Sequence, residues 1–258
     1  MRLLKAATLL TLLYAASGMA YANWTATGTF RYVDREFDQN GFTGAQPSLP
    51  IRLANVEVRD FNASGPKALL ATGSTDANGN FSIAVNDSKT RTVYVRVVSA
   101  STAVATLYLR VENVLTPKNP YSVASSNVPN HNPNTNVNFG TITAGIGAGG
   151  EAFNLYDVGL RSIDYIASLN GSRPGSSNLL TLEWEPAFGN PVSSYDYGNK
   201  RVHVGDPSGY NDTVVQHETG HYAYHLNSAN DNPGGTHHLT DCNQDLRLAF
   251  EEGRATWF

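Results

Sequence analysis

Between Asn23 and about Thr143 the apolar residues recur at every second position, whereas beyond Glu151 they recur at every third or fourth. This change of period constrains the fold more than any other feature of the chain. Val56 and Val58, then Phe81, Ile83 and Val85, then Val93, Val95 and Val97, then Leu107, Leu109 and Val111 carry the first pattern, with Glu57, Arg59, Ser82, Arg96 and Arg110 on the opposite faces. A strand turns successive side chains to opposite sides, so each segment presents one face to a core and one to water. Seven such segments, near 27–33, 51–60, 68–74, 79–85, 92–98, 103–112 and 136–143, separated by Asn, Gly and Pro turns, predict an antiparallel β-sandwich. Pro117 to Thr135, rich in Pro, Asn and Ser, reads as a long loop before the last strand.

The second pattern opens after Gly145-Ile146-Gly147-Ala148-Gly149-Gly150, which lacks the Gly-Lys-Ser/Thr of a phosphate loop and reads as a flexible linker. Phe153, Tyr156, Leu160, Ile163 and Ile166 then mark a helix over Glu151 to Leu169. Leu179 to Trp184 and Ser194 to Val204 read as strands, and Asn211 or Asp212 caps a second helix that packs through Val214, Val215, Tyr222, Ala223 and Leu226. A last helix runs from Leu246 to Phe258, with apolar residues at 246, 249, 250 and 257. Two domains are therefore expected: a sandwich over 23–144 and, after the linker 145–150, an α+β lobe over 151–258.

The second helix carries His217-Glu218-Thr219-Gly220-His221. At 100° and 1.5 Å per residue, two histidines four apart lie about 40° apart on one face and roughly 6 Å apart along the axis, so both imidazoles reach one ion. Glu218 lies about 100° round from His217, placed to touch a metal-bound water without being a ligand. This is the H-E-x-x-H motif of zinc peptidases: Zn²⁺ lowers the pKa of its water to roughly 7 and the glutamate serves as general base. His225, a turn further on, drifts about 80° from His217 and reads as a helix-surface residue.

The third ligand is less direct. A histidine at 227 with glycine at 224 would continue one common pattern, but Asn227 and Tyr224 stand there. The last helix offers two adjacent carboxylates, Glu251 and Glu252. The stretch Phe250-Glu251-Glu252-Gly253-Arg254-Ala255-Thr256-Trp257-Phe258, with Glu252 31 residues after His221, resembles the H-E-x-x-H … E-G-x-A pattern of gluzincin metallopeptidases. The resemblance implies a zincin-like lobe, Zn²⁺ as cofactor, His217, His221 and Glu252 as metal ligands, and a polypeptide substrate; Glu251 is the alternative ligand. Gly253 is expected to let the two helices approach closely. Thermolysin-like relatives place an aspartate four residues beyond the ligand glutamate to support a metal histidine. Thr256 stands there instead, so that support is expected from elsewhere. The resemblance also implies a further helical lobe beyond Phe258, so the catalytic domain is expected to be incomplete and the chain a poor catalyst. Tyr195 to Val204 becomes the candidate edge for docking extended substrate, the alternative being an edge strand that touches nothing. His237 and His238 fall in the connecting loop, with Asp241 just after, and the two histidines read as solvated.

The turn Thr75-Asp76-Ala77-Asn78-Gly79-Asn80-Phe81 reads as a hairpin; with Ala71-Thr72-Gly73 and Ile51 to Asp60 before it, it resembles the transthyretin-like domain that accompanies carboxypeptidases and other secreted enzymes. Secretion is also the reading of the N-terminus. Arg2 and Lys5, an apolar run from Ala6 to Ala16 and a small-x-small Ala20-Tyr21-Ala22 form a signal peptide over 1–22, cleaved after Ala22 into an extracellular or periplasmic compartment. Without Arg2 and Lys5 the 18 basic residues become 16 against 22 acidic, a net charge of about −6, which argues against nucleic acid or an anionic membrane as partner. No segment of 18 uninterrupted apolar residues predicts a membrane span. Cys242 is the only cysteine, so no intramolecular disulfide forms, and it reads as a small apolar residue. The oligomeric state is not encoded in any pattern here. The alternative function is an extracellular binding or adhesion protein with a structural zinc domain. Glu218 counts against it, because a structural site needs no base.

Overall fold

The computed structural model describes residues 24–102, 104–229, 231–235, 237 and 243–258. The signal peptide, His238, Asp241 and Cys242 lie outside the described residues. Strand β1 (Trp24–Val33) organises the first sheet: it pairs in parallel with β7 (Val137–Ala144), and antiparallel with β4 (Asn80–Val85) and a short strand, Ser48–Pro50. In the second sheet β5 (Arg91–Val98) pairs antiparallel with β2 (Asn55–Asp60), which pairs in turn with β3 (Leu69–Ser74). The two sheets pack face to face. Phe30, Phe81, Ile83 and Val85 meet Val56, Val58, Val93, Val95 and Val97 in one buried core, and at Gly73 an added Cβ would lie 2.6 Å from Ile83 Cγ1 of the facing sheet. The N-terminal region is thus β-rich, as the alternation predicts.

Four expectations change. The β1–β7 pair is parallel, so the sandwich is not purely antiparallel. The turn after β3 is not a hairpin, because β3 and β4 belong to different sheets. Asp76 Oδ1 holds that turn, accepting from Asn78 N and Asn80 N at 2.8 Å each, and Gly79 completes it at φ +80° where a Cβ would meet Phe30 O at 2.4 Å. The expected loop Pro117–Thr135 contains two strands, Ser122–Ala124 and Val128–His131, that pair with β5 and satisfy its outer edge. Among the described residues of the segment 103–112, a strand forms only over β6 (Leu109–Glu112), and it leaves the sandwich for a third sheet.

That third sheet joins the two halves of the chain. Its order is β9 (Ser194–Asp196), β10 (Arg201–His203), β8 (Leu180–Glu183), β6 and the short strand Ala100–Ser101. Its apolar side, Leu109, Val111, Leu180, Leu182 and Val202, packs with helix α1 (Gly150–Asn170), whose Gly159 gives Leu109 room: a Cβ there would stand 2.8 Å from Leu109 Cδ1. Its other side carries charge. Glu112 and Glu183, with side chains 2% and 1% exposed, are both bridged by Arg201; Arg110 pairs with Glu112 at 3.2 Å, Lys118 pairs with Glu183, and His203 Nδ1 lies 3.1 Å from Glu183. The glycine-rich segment before α1 is a hydrogen-bonded turn: Ala148 N and Gly150 N both donate to Gly145 O, at 3.0 and 2.9 Å. No described helix is long and apolar enough to cross a membrane.

Candidate metal centre

Two helices build the site. Helix α2 (Asp212–Asn227) begins where Asn211 Oδ1 accepts from Val214 N at 3.3 Å, and α3 (Leu246–Trp257) where Asp245 Oδ1 accepts from Arg247 N at 2.9 Å. They cross at Gly220, where a Cβ would stand 2.9 Å from both Cα and O of Ala255. Any side chain at 220 would push α3 away from α2. Gly253 has open space around its Cβ position, so the close approach expected there occurs at Gly220 instead. The buried face of α3 is Leu248, Glu251 and Ala255, while Leu246, Phe250 and Trp257, three of the apolar residues that marked the helix, are exposed.

The crossing brings one ligand atom from each of His217, His221 and Glu252 within 4.8 Å of one another. His217 Nε2 lies 3.1 Å and His221 Nε2 3.5 Å from the same oxygen, Glu252 Oε2. The outward nitrogens are each held. Thr256 Oγ1 donates to the Glu252 backbone carbonyl at 2.9 Å, leaving its lone pairs to accept from His217 Nδ1 at 3.1 Å. Thr256 therefore takes the supporting role that its identity argued against: a hydroxyl four residues beyond Glu252 reaches the imidazole as a carboxylate would. His221 Nδ1 faces Glu251 Oε1 and Tyr197 OH, both at 3.3 Å. Glu251, the alternative ligand, stands behind the histidine rather than in front of it.

Two imidazoles with Nδ1 committed outward and Nε2 converging on a carboxylate oxygen form a donor set suited to Zn²⁺. The electrostatics agree. Burial works against ionisation of Glu252, but hydrogen bonds from His217 and His221 hold its carboxyl well below the usual range. The bond to Glu252 raises His217. Burial pushes Glu251 up to about 7, helped by the neighbouring Glu252 charge, and its Oε2 is buried without a hydrogen-bond partner. Glu218 is 9% exposed, and burial raises its carboxyl while both motif histidines oppose this. His225 is tied elsewhere, its Nδ1 2.9 Å from Tyr195 OH, and burial lowers it. Tyr195 and Tyr197 stand in and just after the edge strand β9, which places that edge beside the histidines. A groove of about 470 Å³ runs between α1, α2 and α3, lined by Tyr165, Leu169, Ala223, Phe250 and Trp257. None of the four motif side chains His217, Glu218, His221 and Glu252 lines it.

No curated protein is significantly similar to this chain. Two solved structures share low similarity: a 9R-lipoxygenase from Cyanothece, 17% identical with a TM-score of 0.30, matched over 66% of this chain and 27% of its own, and an (S)-allantoin synthase, 11% identical with a TM-score of 0.24, matched over 48% and 42%. The chain thus spans less than half the length of either. Residues 25–148 match the family model of the mycolysin middle domain, and this match ties the β-rich region, from β1 through β7, to a peptidase family.

Proposed function

We propose that this chain is a secreted zinc-dependent peptidase of the gluzincin kind, with His217, His221 and Glu252 as metal ligands and Glu218 as general base. The observation that carries the reading is the convergence of two Nε2 atoms on Glu252 Oε2 while Thr256 and Glu251 hold the opposite ring nitrogens. The match of residues 25–148 to a domain of mycolysin, whose family are zinc metalloproteases, supports it from the other half of the chain. In this reading residues 151–258 form a zincin-like lobe, the sandwich is a transthyretin-like accessory domain, and residues 1–22 direct export.

Zinc, when bound, polarises a peptide carbonyl and makes a water acidic near pH 7. The remaining work belongs to the chain. Glu218, whose burial makes its carboxylate a stronger proton acceptor, would in its ionised form take a proton from the attacking water and return it to the leaving amine. Thr256 and Glu251 keep each imidazole turned so that Nε2 faces inward. The edge of β9 offers backbone groups to an extended polypeptide, beside Tyr197 and His221. Glu218→Gln is expected to keep its zinc and lose hydrolysis of a peptide library by about 10²–10⁴-fold. Unchanged turnover, with zinc bound, would reject the mechanism.

A further inference from the structure

We propose that His237 supplies a fourth protein ligand to the metal centre, from the chain between α2 and α3 rather than from a helix; the inference rests on the zinc reading above. His237 Nε2 lies 3.4 Å from Glu252 Oε2, the oxygen that His217 Nε2 and His221 Nε2 approach at 3.1 and 3.5 Å. Bonds of about 2.0–2.1 Å at tetrahedral angles separate neighbouring donors by about 3.3 Å. Three imidazole nitrogens therefore stand about one tetrahedral edge from one carboxylate oxygen.

The other ring nitrogen decides what His237 offers. Its Nδ1 lies 3.0 Å from Gly235 O, a carbonyl that can only accept, so Nδ1 carries a hydrogen and Nε2 is the nitrogen left for a cation. His217 is turned the same way by Thr256. The backbone just before His237 includes Gly234 and Gly235 at φ +65° and +113°, with Asn232 Oδ1 accepting from Gly234 N at 2.8 Å. Only residues tolerant of the left-handed region hold such a turn.

His237 differs from the helix-borne ligands in two respects. It stands outside the group whose ligand atoms all lie within 4.8 Å of one another, and its side chain is 39% exposed. With zinc bound, His237 would complete the coordination sphere, and as the exposed ligand carried by no helix it would be the one to give up its place to water or a substrate carbonyl.

X-ray absorption at the zinc edge of the zinc-loaded full chain tests this directly. Three coordinated imidazoles are expected in the wild type and two in His237→Ala, with a zinc affinity, measured by chelator competition, lower by at least about tenfold in the variant. Two imidazoles in the wild type, or an unchanged affinity in His237→Ala, overturns the proposal. His217→Ala separates it from the reading beneath: zinc lost there but unaffected by His237→Ala sinks the fourth ligand alone, while zinc retained in His217→Ala sinks the metal centre with it.

Discussion

Two places in the molecule hold a pair of carboxylates away from open solvent, Glu112 and Glu183 both buried, Glu251 buried beside a half-buried Glu252, and they neutralise them by opposite means. On the third sheet, Glu112 and Glu183 face Arg110, Lys118 and Arg201, whose charges are permanent near neutral pH. At the helix crossing, Glu251 and Glu252 face the imidazoles of His217, His221 and His237, and among the described residues no lysine or arginine forms an ion pair with them. The consequence shows in protonation. Burial raises Glu183, but its bonds to Lys118 and Arg201 more than reverse this, whereas Glu251 stays raised at about 7. A carboxylate matched to guanidinium and ammonium is complete as it stands; one matched only to imidazole leaves room for a cation.

Removing Glu252 should give the largest effect. Glu252→Ala is expected to abolish zinc binding, and Glu251→Gln and Thr256→Val, which only support the histidines, to weaken it by about 10–100-fold each, with Thr256→Ser restoring affinity. Titration against a zinc chelator ranks the three, and equal losses at Glu251 and Glu252 would erase the distinction between ligand and support. On the sheet, Arg201→Met removes the one cation shared by two buried carboxylates, leaving Glu112 with Arg110 and Glu183 with Lys118, and should destabilise the fold by about 3 kcal/mol in urea melts while leaving zinc affinity alone. A loss below about 1 kcal/mol would mean that the network is not what fastens β6 to β8 and β10.

The smallest effect is a difference in sign. Folding lowers Glu183 from its ordinary 4.5, so its contribution to stability is present above that value and is lost as pH falls through the folded pKa. Folding raises Glu251 from 4.5 to about 7, so its contribution is fully present below 4.5 and is lost as pH rises through about 7. In zinc-free protein, Glu183→Gln should flatten the acid limb of the stability curve and Glu251→Gln the limb between 4.5 and about 7. Slopes of the same sign in both would remove the contrast.

The alternation of Phe81, Ile83 and Val85 and of Val93, Val95 and Val97 made β4 and β5 legible, because their buried faces carry no interruption. The same period in Leu109 and Val111 identified a strand but not its sheet, since its partner Leu180–Glu183 lies some 70 residues on and pattern carries no address. Val128–His131 was hidden because Pro129 and Asn130 break the alternation: its register with β5 rests on Val128 and His131, opposite Val93 and Arg91. Within the site, residue type and spacing exposed the two histidines and Glu218. They left Glu251 and Glu252 equal; the gluzincin resemblance favoured Glu252, and the structure turns Glu252 toward both Nε2 atoms. Thr256 was read as an absence because it is not an aspartate, though its position, one turn past Glu252, was the signal. Gly220 was overlooked as an interchangeable letter inside the motif, when its missing Cβ is what lets the helices cross.

Only Leu248, Glu251 and Ala255 bury α3, while Leu246 is 85%, Phe250 62% and Trp257 80% exposed. An element so thinly attached opens at low cost, so its amides should exchange with deuterated solvent sooner than those of α1, whose apolar residues fill the core. Zinc held between His217, His221 and Glu252 would fasten α3 to α2 at its middle. Loading with metal and stripping it should then move the exchange rates of residues 246–257 by far more than those of the sandwich, making the deuterium uptake of one helix a gauge of occupancy.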